Sequence, residues 1–374
     1  MTVAINTLTI RGFRALRDVT LEGLGRVNLI TGKNNTGKSS VLEALRILVS
    51  DAAHGVIWRI LSEREEDRAE SDDSNGLSEV DRLIPITCLF SGFPILSDTR
   101  SSIELTADDA ARPMRIVLGI EWFSQQKGPG GSIKLTQPGP GLFEDEENDR
   151  IPCLVADTPR GKRLVRLRRF GTRDSIYPHD EPDESRLACV YVGPYGGERT
   201  TRLGALWDRI ALSDMEDEVV RALRIIDPDI SGVSMIGGER PGMSRLAIVR
   251  SKRFQRPVPL RSFGDGLNRL FGIVLSLVAA KGGVLLIDEF ENGMHHTVQL
   301  DTWRTIFSMA ERLNVQVFAT SHSWSCIEAF QKAAAETPED GVLVRLARRN
   351  DQILTTTFRE NDLEVVTAEG IEVR

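Results

Sequence analysis

Cysteine is scarce in this 374-residue chain and badly spaced for chemistry, since Cys88, Cys153, Cys189 and Cys326 lie far apart and form no metal-type pair. A disulfide framework is thereby excluded, and ordinary core thiols in a reducing compartment are expected. No apolar run is long enough to cross a membrane, and Met1–Thr7 lacks the charged and apolar regions of a signal peptide. A cytoplasmic protein with no membrane association is the expectation. Sustained heptads are missing, which excludes the long coiled-coil arm found in some nucleotide-driven machines. Aromatic residues make up only 6% of the chain and do not interleave with its basic stretches, so no base-stacking surface is marked. His295 and His296 are adjacent instead of four apart, which argues against a zinc site on a helix.

What is present is a phosphate-binding loop. Gly32-Lys33-Asn34-Asn35-Thr36-Gly37-Lys38-Ser39 fits G-x-x-x-x-G-K-[ST] without a mismatch. Arg26–Thr31 before it reads as a short strand, and Ser40–Leu48 after it carries apolar residues at helical spacing. In that context Gly32 and Gly37 let backbone N–H groups turn around phosphate oxygens, and Lys38 adds positive charge at the β- and γ-phosphates. The Ser39 hydroxyl is placed to ligate Mg²⁺. Gly32, Asn34, Asn35, Thr36, Gly37, Lys38, Ser39 and Ser40 are the expected ATP contacts of this loop.

A second run, Gly282–Asn292, contains Val284-Leu285-Leu286-Ile287 followed by Asp288 and Glu289. Four apolar residues ending in two carboxylates describe a buried parallel strand whose C-terminal end points acids at a ligand crevice. Asp288 is the expected Mg²⁺ residue, and Glu289 the residue that orients the attacking water. Val315–Ser323 is another short strand ending in a polar turn, with His322 as the expected γ-phosphate sensor. Between these elements, Ser262-Phe263-Gly264-Asp265-Gly266 leads into the apolar helix Leu267–Ala280. A serine beside helix N-terminal amides can form a second anion site, with Gly264 and Gly266 giving the backbone its freedom.

The order of these motifs, with the opening Leu8–Leu16, resembles the SMC/RecF/OLD branch of ABC-type ATPases, and more narrowly the ATPase portion of OLD-family (overcoming lysogenization defect) proteins. The resemblance covers residues 1 to about 50 and about 185 to the C-terminus. It implies an α/β fold: an ABC-type P-loop ATPase head (1–58 plus 185–374) carrying an inserted antiparallel β-rich subdomain (59–184). It also implies a head-to-tail ATP-sandwich dimer in which Ser262 of one protomer closes over nucleotide held by the other. Glu291–His295 would face the opposite subunit. A separately encoded effector, such as a nuclease in an anti-phage defence system, is the implied partner. A RecF-like DNA-repair ATPase is the alternative. No glutamine loop is recognisable, the turn is SFGDG where transporters have LSGGQ, and no room remains after His322 for a TOPRIM nuclease domain.

The net charge of −7 argues against a general polyanion binder, but charge is uneven. Arg160–Arg173 is strongly basic, and it fits a phosphate track for DNA as well as it fits a solvated strand. Arg250, Lys252, Arg253, Arg256 and Arg261 precede the serine turn. In the middle of the chain, Glu63–Gly76 reads as a loop, while Ser102–Ala107, Arg115–Trp122 and Lys162–Phe170 read as strands. Arg202–Ile226 is helical by pattern, with Asp214, Glu216, Asp217 and Glu218 at a helix start. Strands at Gly341–Leu346 and Gln352–Phe358 and a helix near Asn361–Glu369 complete the expectation.

Overall fold

A computed structural model describes residues 4–66, 84–94, 101–108, 114–127, 133–136, 150–167, 187–194, 200–237, 245–337, 340–359 and 362. Its elements begin with β1 (Thr7–Phe13), β2 (Leu16–Leu21), β3 (Val27–Thr31), α1 (Lys38–Val49), α2 (His54–Glu63) and α3 (Ile84–Thr87). Then follow β4 (Ser102–Asp108), β5 (Met114–Lys127), β6 (Ile133–Thr136), β7 (Arg150–Thr158), β8 (Gly161–Arg166) and β9 (Cys189–Val192). Next are α4 (Thr200–Asp208), α5 (Asp214–Leu223), β10 (Ile230–Ile236), β11 (Leu246–Ser251), β12 (Val258–Pro259) and α6 (Asp265–Ala279). The remainder is β13 (Val284–Ile287), α7 (His296–Leu313), β14 (Gln316–Ser321), α8 (Trp324–Ala334), β15 (Gly341–Arg349) and β16 (Gln352–Phe358).

Two compact units divide the chain. The first comprises Met1–Thr7, Leu21–Leu42 and Leu187–Arg374. Its six-stranded sheet runs β16-β15-β3-β14-β13-β9. The neighbours β15–β3, β3–β14, β14–β13 and β13–β9 are all parallel, and only the edge pair β15–β16 is antiparallel. Continuous apolar sequence suits strands covered on both faces, and every residue of β3, β13 and β14 is buried. Of their polar residues, Asn28 and Gln316 are bonded to backbone, Asn28 to Gly25 and Val317 and Gln316 to Ile5 and Gly25, while Thr31, Thr320 and Ser321 gather at the C-terminal strand ends. Packing on this sheet centres on α6, α7 and α8, where Trp303 stacks on Phe290 at 3.9 Å and meets Phe330 edge-on at 5.0 Å. The smaller sheet β10-β11-β12 belongs to this unit too.

The second unit comprises Leu8–Thr20 and Glu43–Arg186. Its sheet has the order β2-β1-β4-β5-β7-β8, with β6 paired to β5. The pairs β4–β5, β5–β7 and β7–β8 are antiparallel. Residues 8–20 and 43–58 therefore group with the β-rich unit, which differs from the boundary at 59 expected from the sequence. The cause is non-local pairing: β1 lies beside β4, a neighbour no local pattern announces. An ion cluster around the buried Arg14–Glu43 pair (2.6 Å) belongs here, with Arg14 also bonded to Glu66 (2.7 Å) and the exposed Arg64 to Glu43 (2.5 Å).

The stretch read as helical from 202 to 226 is two helices. Ser213 caps α5 by accepting from the Met215 N–H, and Leu212 before it adopts a positive φ of 64° that no helix continues. The acids Asp214, Glu216 and Asp217 occupy the first turn of α5. The longest described helix is α7, with 18 residues, so no coiled-coil arm occurs among the described residues. Most of the helix expected near Asn361–Glu369, and residues 168–173 of the basic stripe, lie outside the described residues. No described helix is long and apolar enough to cross a membrane.

Candidate functional site

The sheet order places the site. β14 lies between β3 and β13, in parallel register that aligns Ser321 with Thr31 and Ile287 with Ala319. The C-terminal ends of all three strands consequently share one edge, where open α/β sheets hold their ligands. The phosphate loop leaves β3 there, the two acids leave β13, and His322 follows β14.

The loop has the backbone that its sequence demands. Gly32 (φ 148°), Asn35 (φ 63°) and Gly37 (φ 88°) all take positive φ. At Gly32 a Cβ would stand 2.4 Å from the Leu346 carbonyl oxygen, so only glycine fits. Thr36 Oγ1 donates to the Lys33 carbonyl at 2.8 Å and closes the turn. Lys38 begins α1 and donates from Nζ to the Gly32 (2.7 Å) and Lys33 (3.1 Å) carbonyls. Burial pulls the Lys38 pKa below its ordinary value, against the opposing charges of Asp288, Glu289 and Glu291. Asn34 is exposed and Ser40 is buried.

Ser39 and Asp288 are brought together from residues far apart in the chain. Ser39 Oγ donates to Asp288 Oδ1 at 3.0 Å. Two ligand oxygens at right angles around an octahedral Mg²⁺, each at about 2.1 Å, are separated by about 3 Å. The pair therefore suits Mg²⁺, an ion that commonly takes one carboxylate and completes its shell from phosphates and water. Among the described residues no cluster of three or more His, Cys, Asp or Glu side chains forms an all-protein metal cage.

Several residues that the sequence reading passed over build the rest of the site. Thr320, at the end of β14, donates from Oγ1 to Asp288 Oδ1 at 2.5 Å and accepts the Glu289 N–H at 2.8 Å. Tyr191 donates to Asp288 Oδ2 at 3.4 Å. Glu289 has a positive φ of 47°, rare for a side-chain-bearing residue, and its carboxylate accepts a close hydrogen bond from Asn292 Nδ2. Asn292 also donates to the Pro194 carbonyl at 3.1 Å. His322 donates its backbone N–H to Glu291 Oε1 at 2.9 Å, and its Nδ1 lies 3.2 Å from the same oxygen.

The serine turn has a different setting. Ser262 lies in a short 3-10 turn, Leu260–Phe263, and Gly264 (φ 96°) forms the N-cap of α6. Ser262 and Gly264 are exposed. Gly266 packs tightly on the loop after the acids: a Cβ there would stand 3.0 Å from the Gly293 carbonyl oxygen. No hydrogen bond joins Ser262 to the phosphate loop among the described residues.

Family models match two long stretches. Residues 4–129 match "AAA ATPase domain", and residues 162–327 match "AAA domain, putative AbiEii toxin, Type IV TA system". An "ATP/GTP phosphatase" of Helicobacter pylori is 23% identical over 376 aligned positions, spanning 96% of this chain and 97% of that protein. An uncharacterized Methanocaldococcus jannaschii protein, MJECL11, is 30% identical over 113 residues, which are 30% of this chain and 98% of that protein. Among solved structures, "SmcHead bound to the C-winged helix domain of ScpA" aligns with 96% of this chain and 98% of its own length, at 11% identity and a TM-score of 0.48. The "SMC head domain from Thermotoga maritima" aligns with 96% of this chain and all of its own length, at 15% identity and a TM-score of 0.41.

The phosphate loop, the acid-tipped strand beside it and both AAA matches define an ATP-hydrolysing P-loop enzyme. The chain and the archaeal MJECL11 protein belong to one family.

Proposed function

We propose that this chain is an ATP-gated molecular switch that works as a head-to-tail dimer. The carrying observation is that Ser39, Asp288, Thr320 and Glu289 form one hydrogen-bonded array and Lys38 is held on the carbonyls of the adjoining phosphate loop, while Ser262 is exposed and makes no bond to that loop among the described residues. A site whose second anion-binding turn is turned to solvent is completed by another copy.

In this reading Lys38 exchanges its bonds to the Gly32 and Lys33 carbonyls for the β- and γ-phosphate oxygens of ATP. The N–H groups of the loop from Gly32 to Ser39 surround those phosphates. Ser39 and Asp288 hold Mg²⁺, which when bound neutralises charge building on the phosphate oxygens. Glu289, braced by Asn292, orients the water and receives its proton, and His322 reads the γ-phosphate. Ser262 and the amides at Gly264 and Gly266 from the second protomer close the site. Hydrolysis then releases the dimer, and that change of state is available to a separate effector. An effector in anti-phage defence, a nuclease for example, agrees with the OLD resemblance.

The DNA-repair alternative finds less support. Lys162 is bonded to Glu121 at 3.0 Å, and Arg163 and Arg160 approach Asp51 at 3.1 and 3.8 Å. These cations serve the β-rich unit itself. In the second basic cluster, Arg253 is likewise held by Asp227 and Asp229.

The test is complementation. Lys38→Ala and Ser262→Arg chains, each inactive alone, should recover part of the ATPase activity when mixed, because one of the two composite sites in a mixed dimer is intact. Proven heterodimers with no recovered turnover would overturn the shared-site arrangement.

A further inference from the structure

We propose that Arg269 is a positioning residue that couples the serine turn of each protomer to its own water-orienting Glu289. This rests on the roles given above to Glu289 and Ser262.

Arg269 stands on α6, four residues past Asp265, about 6 Å from the start of the helix that the serine turn leads into. The residue is only 2% exposed. Its guanidinium donates from one nitrogen to the Gly193 carbonyl in a close bond, and from the other to the carbonyls of Asp288 (2.7 Å) and Glu289 (3.1 Å). These acceptors follow β9 and β13, which are neighbours in parallel register with Val192 opposite Ile287. One side chain therefore laces two strand ends to the helix whose opening turn is exposed.

The bond to the Glu289 carbonyl has particular weight because of that residue's backbone. A positive φ of 47° in a glutamate is strained backbone that persists only where the surroundings hold it. Thr320 holds the amide on one side of Glu289 and Arg269 holds the carbonyl on the other. Asn292 braces the side chain and shares the post-β9 segment with Arg269 through the Pro194 carbonyl. A buried cation among carbonyls is also an expensive way to fill this space. An aliphatic residue would pack there without the desolvation penalty that lowers the Arg269 pKa, a penalty opposed by Asp288, Tyr191, Glu291 and Glu289. Planar, two-pronged donation to several carbonyls is what guanidinium supplies and lysine or leucine cannot.

The mechanical consequence follows from the rigidity of a helix over this short distance. When the serine turn closes on nucleotide held by the partner, any shift of the first turns of α6 is passed through Arg269 to Glu289 in the same chain. Closure at one composite site is thereby registered at the other, and turnover depends cooperatively on ATP.

The experiment compares Arg269→Met and Arg269→Lys in the full chain, alone and combined with Glu289→Gln. Arg269→Met should lower kcat about ten- to hundredfold, equivalent to about 1.4–2.8 kcal/mol, while the ATP dissociation constant changes by less than about threefold. Arg269→Lys, which keeps the charge, should recover part of kcat and guards against a Met variant that fails to fold. The Hill coefficient for ATP should exceed 1 in the wild type and fall to about 1 in both variants. In the Glu289→Gln background neither substitution should reduce residual turnover further, because Arg269 acts through Glu289. Equal fractional losses in both backgrounds, or a loss confined to ATP affinity, would overturn the coupling. Wild-type turnover in Glu289→Gln alone would instead overturn the Glu289 assignment beneath it.

Discussion

Replacing Thr320 with valine removes one oxygen from the site and nearly nothing else, since the two side chains have the same shape. That oxygen makes two bonds inside a fully buried position, donating to Asp288 at 2.5 Å and accepting from the Glu289 N–H at 2.8 Å. The first, made to a carboxylate, is worth about 1.5–3 kcal/mol, and leaving the second donor unpaired costs about 1–3 kcal/mol. Among the described side chains Asp288 then keeps Ser39 and the long Tyr191 bond, so the proposed metal residue and the proposed water-orienting residue loosen together. If roughly half of that loss is felt in the transition state, kcat falls about ten- to hundredfold. Half-saturation for Mg²⁺ should rise alongside it. Steady-state ATPase assays across a Mg²⁺ titration give both quantities, and Thr320→Ser, which restores the oxygen, should return to within about threefold of wild type. A Thr320→Val enzyme with normal kcat and normal Mg²⁺ dependence would refute the claim that this hydroxyl organises the acids.

Glu289→Gln should retain ATP binding, lose turnover and accumulate dimer in size-exclusion chromatography with ATP; unchanged turnover would remove Glu289 from the mechanism. Gly32→Ala should abolish nucleotide binding, because its Cβ meets the Leu346 carbonyl oxygen at 2.4 Å, whereas Gly119→Ala, in β5 and at an ordinary φ, meets no atom within 4 Å and should bind ATP normally. Equal binding by the two variants would contradict this. For Lys38 the charged form holds phosphate, so affinity is full below its pKa and is lost as pH rises through it. Because burial lowers that pKa from 10.5, the loss should begin at a lower pH than an ordinary lysine allows, with proton uptake on ATP binding in calorimetry; affinity declining only above 10.5 would count against it.

The parts of the site legible in the sequence were those written contiguously. Val27–Ser39 and Val284–Glu289 each combine a buried strand with the chemistry at its end, so local pattern and site coincide. Thr320 was visible only as a member of the short strand Val315–Ser323, because nothing local says that its hydroxyl faces the acids of a neighbouring strand. Arg269 did leave a signal: it is the lone charged residue in the run Leu267–Ala280, and a single cation in an otherwise apolar helix needs buried acceptors. Ser213 followed by three acids marked a new helix start in a stretch whose periodicity alone suggested continuity. Residues 8–20 could not be allotted to the β-rich unit from sequence, because strand partners are set by tertiary pairing and not by composition.

The order of strands in the main sheet has a consequence for how the protein is made. β3 and the phosphate loop are synthesised early, yet β3 is flanked by β14 and β15 from the other end of the chain. Ile5 is bonded to Gln316, 311 residues away, and the oxygen packed nearest Gly32 belongs to Leu346. At about 5–20 residues per second, the loop waits roughly 15–60 seconds on the ribosome before its flanking strands exist. A nascent or truncated chain thus carries the nucleotide motif without a nucleotide site. ATP binding therefore requires a chain synthesised at least through β15, and shorter copies carry the motif with no site to fill.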